Sequence, residues 1–487
     1  MILGQKILVQ LIGDAGLSIL GFVTIILIAK FLGSQILGAV GLVLGTLGIF
    51  GSLLDLGFGT AHTKKVAEGG KVDEKIWTYF LISFVLVIVY TLVLTIFFLL
   101  KSTRTNPFGE IGFLVFSIFY LYLIFQSFAQ VFLATLAGLG KAIKYNLAWV
   151  LSVFARTILI GIVAFAGLSL IFLSAAYLVG SLLLLVLAFL LVGKFQIVKP
   201  RSTLFKSYLK FTLPIMVTTG ISYVFGNLDR VILGSFWNLA TVGLYFGIFQ
   251  IIQFPQQISS SAMTFFFPDI SKIFKEGNLA QMKEKCFLAI KYLLLIVTPI
   301  LVLLALFSEE FIRLFLGEEF LQGLPIFLIF LVLAFLITII RPYSNILYAA
   351  ELHKILPIVA IFNLFLLIFL ELVLIPKEFL GFKMAGLGAT GAALANLAIW
   401  IVTGAVQIFW VRKFLKIGLP KSIFIQLFAG LSFYLLAISI ENLFQGLTGT
   451  IVGTIFGLIS YFLVLVVFGE FQKNDFYYLL KILRFKY

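Results

Sequence analysis

Apolar runs of about 20 residues or more, the length a helix needs to cross a hydrocarbon core of roughly 30 Å, recur along this chain of 487 residues. Ten-residue segments of alternating polarity, the mark of a membrane barrel, are absent. Spans are predicted at about 7–29, 36–60, 76–100, 111–137, 146–166, 170–193, 211–234, 239–268, 288–307, 323–349, 355–376, 385–411, 422–440 and 448–469. The expected fold is an all-α membrane protein with fourteen transmembrane helices. Two pseudo-symmetric six-helix bundles, 1–193 and 211–411, would surround a central cavity. A basic cytoplasmic linker, 194–210, joins them; two additional helices, 422–469, and a cytoplasmic amphipathic tail, 470–487, follow.

Composition agrees with the pattern. Hydrophobic residues make up 62% of the chain and charged ones 11%, against roughly 25% charged in soluble domains. The first apolar run has no small-residue cleavage site before it reaches spanning length, so it is expected to stay as a helix. A net charge of +15 would suggest nucleic acid in a soluble protein. Here 25 of the 35 Lys and Arg fall in the two termini and alternate connectors, including Lys64, Lys65, Lys71 and Lys75. Positive charge collects in cytoplasmic loops, so both termini are predicted cytoplasmic in a multi-pass protein of the cell membrane, with no nucleic-acid partner. One cysteine, Cys286, rules out an intramolecular disulfide, and two histidines cannot build a His-rich metal site. No metal or cofactor is expected.

The halves share a plan. FLGSQILGAVGLVLGTLGIF leads into TKKVAEGGKVDEK in the first, and LGSFWNLATVGLYFGIFQI into ISKIFKEGNLAQMKEK in the second. An even number of spans separates them, giving a parallel repeat about an axis along the membrane normal. Pro214, Pro255, Pro299 and Pro342 place bends in the later spans, with Pro214 and Pro255 as candidate structural or gating positions. Gly38, Gly41, Gly45 and Gly48 form a small-residue stripe suited to close helix packing.

Ionisable side chains within the predicted spans include Asp14, Asp55, Arg156, Asp229, Arg230, Arg341 and Glu371. Buried charges in a membrane normally face a bundle interior or a wet cavity. Asp229 and Arg230 are adjacent and point about 100° apart on a helix, so they are poorly placed to neutralise each other. Asp229 is expected to have a structural or gating role. Asp14 and Asp55 are candidates for H+ or Na+ coupling, although Asp55 also lies within reach of Lys64 and Lys65.

The stretch NLDRVILGSFWNLATVGLYFGIF, residues 227–249, resembles the seventh-to-eighth helix signature of the polysaccharide biosynthesis flippases. DLGFGTAHTKKVAEG from Asp55, FFFPDISKIFKEGN from Phe265 and GLGATGAALANLAIW from Gly386 are similar to three further segments of that family, over about residues 5–470. The family belongs to a superfamily with lipid II flippases and multidrug antiporters. The resemblance implies a flippase, not an enzyme, that moves a lipid-linked oligosaccharide from the cytoplasmic to the outer leaflet by alternating access. Its partners would be that substrate, membrane lipids, and the glycosyltransferases or polymerase of the same pathway.

A polyprenyl phosphate or diphosphate must then cross the hydrocarbon region. The guanidinium group is the side chain suited to it, a permanent charge with a bidentate donor fork. Arg156 and Arg341, with Arg230, are the candidate phosphate ligands. Asn146, Asn227, Gln250, Gln253 and Asn345 are candidates to bond sugar hydroxyls, or else to bond between helices. The alternative is a multidrug or organic cation efflux antiporter, which calls for carboxylates and aromatics at mid-depth. A membrane glycosyltransferase or polysaccharide polymerase needs a sizeable acidic or nucleotide-binding loop, and every connector here is shorter than 20 residues.

Overall fold

The computed structural model describes residues 3–102, 111–200, 202–350, 355–444, 446–472 and 475. These residues are almost entirely helical, as the hydropathy pattern requires. Among the described residues, twelve helical stretches are long and apolar enough to cross a membrane. The expected tail beyond residue 475 lies outside the described residues, as does the side chain of Pro255.

Two compact units divide the chain. The first gathers Met1–Gln250, Phe315–Gln322 and Ala360–Ala392; the second gathers Ile251–Leu314, Gly323–Val359 and Ala393–Tyr487.

The first unit opens with α1, Leu3–Gly51, a helical run of 49 residues with one non-helical residue, Gly33, at φ 85° and ψ 172°. At about 1.5 Å of rise per residue, such a run exceeds twice the thickness of a hydrocarbon core. Gly33 tolerates the positive φ because it lacks a Cβ. The second stretch of α1 starts again at Ser34, whose backbone N–H and hydroxyl both donate to Glu319, at 2.6 and 3.0 Å. A carboxylate there answers the unpaired N–H groups and the partial positive charge of a helix N-terminus.

The second predicted span ends earlier than expected. After Gly51 a 3-10 turn, Ser52–Leu54, leads to Leu56 and Gly57, both at positive φ, and a separate helix α2, Phe58–Ala67. The chain can break there because Asp55 replaces the missing intrahelical bonds. Its carboxylate accepts from the N–H groups of Gly57 at 3.1 Å and Gly59 at 2.7 Å.

Four apolar helices follow: α3 (Val72–Ser102), α4 (Phe113–Gly138), α5 (Ala142–Phe165) and α6 (Leu170–Val192). Of these, α4 packs on α6, and α5 packs on both α1 and α6. α7 (Ser202–Phe225) runs unbroken through Pro214 and stops at Gly226–Asn227, before a short α8, Leu228–Phe236. α9, Leu239–Lys275, begins in this unit. The glycine stripe does what its spacing predicts. A Cβ at Gly38 would lie 1.8 Å from the carbonyl oxygen of Leu239, and one at Gly243 would lie 1.9 Å from that of Ser34, so α1 and α9 cross backbone against backbone. The unit is completed by the Ala360–Leu374 part of α13 (Ile355–Leu374) and by a small hairpin, β1 (Glu378–Phe379) with β2 (Phe382–Lys383).

In the second unit α10 (Leu279–Leu306) is capped by Asn278, which accepts from Gln281 N–H at 3.0 Å. It packs against α12 (Leu324–Ala349) and α15 (Ser422–Leu443), and α15 pairs with α16 (Leu447–Val467). The remaining helices are α11 (Ser308–Phe315) and α14 (Gly388–Leu415), which starts in the first unit. Asp475 returns to α10 and bonds Lys291 at 2.8 Å and the Tyr292 hydroxyl at 2.7 Å.

Candidate functional site

Arg156 projects from the middle of α5 and is half-buried. The neighbouring helix makes room for it. Gly180 on α6 stands so close that a Cβ there would lie 2.8 Å from the Cβ of Arg156 and 3.1 Å from its Cγ. The guanidinium lies 5.0 Å from the ring centre of Tyr177, a cation–π distance. One of its terminal nitrogens points at the Tyr122 hydroxyl from 3.4 Å, a long contact, and Gln126 donates to the same hydroxyl at 2.9 Å. Tyr122 and Tyr177 meet edge to face at 5.6 Å, and Phe119 packs on Tyr177 at 5.3 Å. The Nε of Arg156 is buried without a hydrogen-bond partner, and among the described residues no carboxylate pairs with this side chain. An arginine set among aromatic rings, with donors to spare, is chemically prepared to take an anion.

Asp229 and Arg230 occupy the break between α7 and α8, which explains why charges interrupt an apolar run. Arg230 donates to the carbonyl of Gly226 and to the Asn227 side chain, both at 2.6 Å, satisfying the exposed end of α7. Its guanidinium also lies 5.2 Å from the Phe246 ring centre. Asp229 sits in the first turn of α8, where negative charge is favoured, and accepts from Arg230 N–H at 2.9 Å and from the Tyr245 hydroxyl. The Arg230 Nε remains 3.9 Å from Asp229, so sequence neighbours make only a loose pair. Arg230 is thus taken up by its own helix break, unlike Arg156.

Glu371 on α13 is fully buried, and neither carboxyl oxygen has a hydrogen-bond partner among the described residues. It lies within electrostatic range of Asp229 and Tyr245. A buried, unsatisfied carboxyl is costly and invites a shared cation or proton. Asp14 is half-buried on α1, beside Tyr145 of α5. Asp55 is tied into the local fold. Besides the two N–H groups at the start of α2 it accepts from Tyr79 at 2.8 Å; Tyr79 stacks on His62 at 4.7 Å; and His62 bonds both Tyr208, at 2.7 Å, and Thr135, at 2.8 Å. Burial holds the His62 ring far below its ordinary 6.5, at about 3.

In the second unit Arg341 is half-buried on α12, and its guanidinium has no hydrogen bond or ion pair among the described residues. Asn345, a candidate sugar contact, instead donates to the Arg341 carbonyl at 3.0 Å. Pro214 is exposed within α7. The tyrosines around Arg156, and Glu319, carry no signal in local spacing, because their partners lie in distant segments.

A family model described as polysaccharide biosynthesis protein matches residues 3–274. The chain belongs to the polysaccharide biosynthesis protein family. No curated protein sequence is significantly similar to it. Among solved structures, the lipid II flippase MurJ in an inward closed conformation superposes with a TM-score of 0.78 at 18% identity, covering 95% of this chain and 98% of that one. A multidrug resistance MATE family transporter of the MOP superfamily, inward-facing, gives 0.66 at 17% identity, with 82% and 95% covered. A MOP superfamily transporter from Pyrococcus furiosus gives 0.51 at 16% identity, with 84% and 94% covered. At these identities the likeness is one of fold. This member of the polysaccharide biosynthesis protein family therefore shares the MOP transporter fold.

Proposed function

We propose that this protein is a flippase that carries a lipid-linked oligosaccharide from the cytoplasmic to the outer leaflet by alternating access, with both of its termini in the cytoplasm. The observation that carries this reading is Arg156, an arginine at mid-depth of an apolar helix, set among Tyr122 and Tyr177 and with no carboxylate partner among the described residues. A permanent cation at that depth is costly unless it meets an anion during the cycle, and a polyprenyl phosphate or diphosphate supplies one. Arg341, likewise without an acidic partner among the described residues, is the corresponding phosphate ligand proposed for the second unit. Arg230 is engaged by Gly226 and Asn227, so its share in phosphate binding is the smallest of the three.

Coupling to a cation gradient falls most naturally to Asp229 and Glu371. Glu371 has both oxygens unsatisfied, whereas Asp55 is committed to the start of α2. A bound proton or Na+ shared with Asp229 would supply what Glu371 lacks. Asp14 is a third acid proposed for this role. Organic cation efflux, the competing use of the fold, would place its substrate against a guanidinium here.

Transport of a fluorescent lipid-linked oligosaccharide in proteoliposomes tests the reading. Arg156→Ala should abolish it while leaving yield and thermal unfolding unchanged, and Arg156→Lys should retain a small part of it. Unimpaired flipping by Arg156→Ala, or export of organic cations by the wild type with no lipid movement, would overturn it.

A further inference from the structure

A second site lies away from Arg156. Between the ends of α3, α4 and α6 on the lysine-rich side is a cavity of about 1020 Å3, just above the roughly 300–1,000 Å3 usual for small-ligand pockets. Its walls are aromatic. Trp77 packs on Phe80 at 5.5 Å and lies 6.3 Å from Phe195, while Phe132 and Phe189 each pack against Phe195, at 5.9 and 5.7 Å.

The wall that holds Phe195 is made by chain that has already left its helix. Gly193, at φ 96°, turns out of α6, and the Trp77 indole N–H donates to the Gln196 carbonyl at 2.9 Å, fastening the extended segment beside the start of α3. At the mouth stand Lys194, exposed and without an ion pair or hydrogen bond among the described residues, and Ile197, 86% exposed. The mouth thus combines an indole, an aliphatic lip and an unpaired ammonium, the chemistry of a membrane–water interface. None of the side chains around Arg156 lines it.

We propose that this cavity binds an anionic glycerophospholipid of the cytoplasmic leaflet, with an acyl chain among the aromatic rings and the headgroup phosphate against Lys194. The charge of the mouth selects the occupant. An ammonium near a lipid surface contributes about 1 kcal/mol toward anionic headgroups, and the cavity is too apolar to hold the sugars of an oligosaccharide. The site rests on the orientation given by lysine distribution and is independent of what the protein transports.

Native mass spectrometry and thermal unfolding of the full chain in detergent test this, with phosphatidylglycerol, phosphatidylcholine or polyprenyl phosphate added separately. Phosphatidylglycerol should be retained and should raise the unfolding temperature, and phosphatidylcholine should do so more weakly. Lys194→Glu should weaken phosphatidylglycerol binding about tenfold, and Lys194→Arg should preserve it. Leu185→Trp, which fills the cavity, should abolish retention of either phospholipid; should it misfold, the two Lys194 variants decide alone. Equal retention of phosphatidylglycerol and phosphatidylcholine, no effect of Lys194→Glu, or retention of polyprenyl phosphate alone would overturn the assignment.

Discussion

The carboxylate of Glu319 lies 2.6 Å from the backbone nitrogen of Ser34 and 3.0 Å from its hydroxyl, so a residue 285 positions away closes the start of a helix that its own sequence leaves open. Removing it should act like the loss of a helix cap. Glu319→Ala is expected to cost about 1–2 kcal/mol, Glu319→Gln less because one acceptor survives, and Ser34→Ala less again. Thermal unfolding of the three variants in detergent gives the order.

Gly180 sets the position of Arg156 without touching any ligand. Enlarging it to Ala places a methyl group 2.8 Å from the arginine Cβ, and the arginine or its helix must move. Misplacement by about 1 Å can cost a hundredfold in rate where geometry matters. Gly180→Leu should therefore impair transport nearly as much as Arg156→Ala, at unchanged Arg156 and with a folded protein; initial rates in proteoliposomes measure it.

Acid should destabilise the protein through His62. The buried ring titrates at about 3 when folded against 6.5 when unfolded. The unfolded state therefore takes up the proton first, and stability is lost as pH falls below about 6.5. At pH 5 the loss is about 2 kcal/mol, levelling only near pH 3. His62→Gln, which can keep bonds to Tyr208 and Thr135, should flatten the dependence between pH 7.5 and 5 in thermal unfolding.

The crossing of α1 and α9 has no room for a methyl group. Gly38→Ala and Gly243→Ala should each destabilise by at least about 1–3 kcal/mol, because backbones rather than flexible side chains block the new atom. Gly16→Ala is the control: nothing stands within 4 Å of its position, and it should be neutral or slightly stabilising.

The helices themselves were legible wherever an apolar run was long. The spans expected at 146–166 and 170–193 correspond to Ala142–Phe165 and Leu170–Val192. The breaks were not. Nothing in DLGFG distinguishes an interrupted helix from a continuous one until Asp55 is seen accepting two N–H groups, and NLDRV hides the stop at Asn227 in the same way. Hydropathy averages over a window, whereas a break depends on a few hydrogen bonds.

The candidate site divides along the same line. Arg156 stands out as a charge in an apolar run, so its identity is local information. Its surroundings are not, because Tyr122 and Tyr177 lie 34 and 21 positions away in other helices. Glu371 was equally visible as a buried acid, but its nearness to Asp229 is a product of the fold alone.

The break at Gly226–Asn227 has one more effect. Two charges that look like an obstacle to insertion act as punctuation: Arg230 seals the end of one helix, and Asp229 begins the next within a single residue. Exchanging the pair for leucines would make the segment greasier yet strip both ends of their cover. Hydrophobic gain and structural integrity therefore pull in opposite directions at this point of the chain.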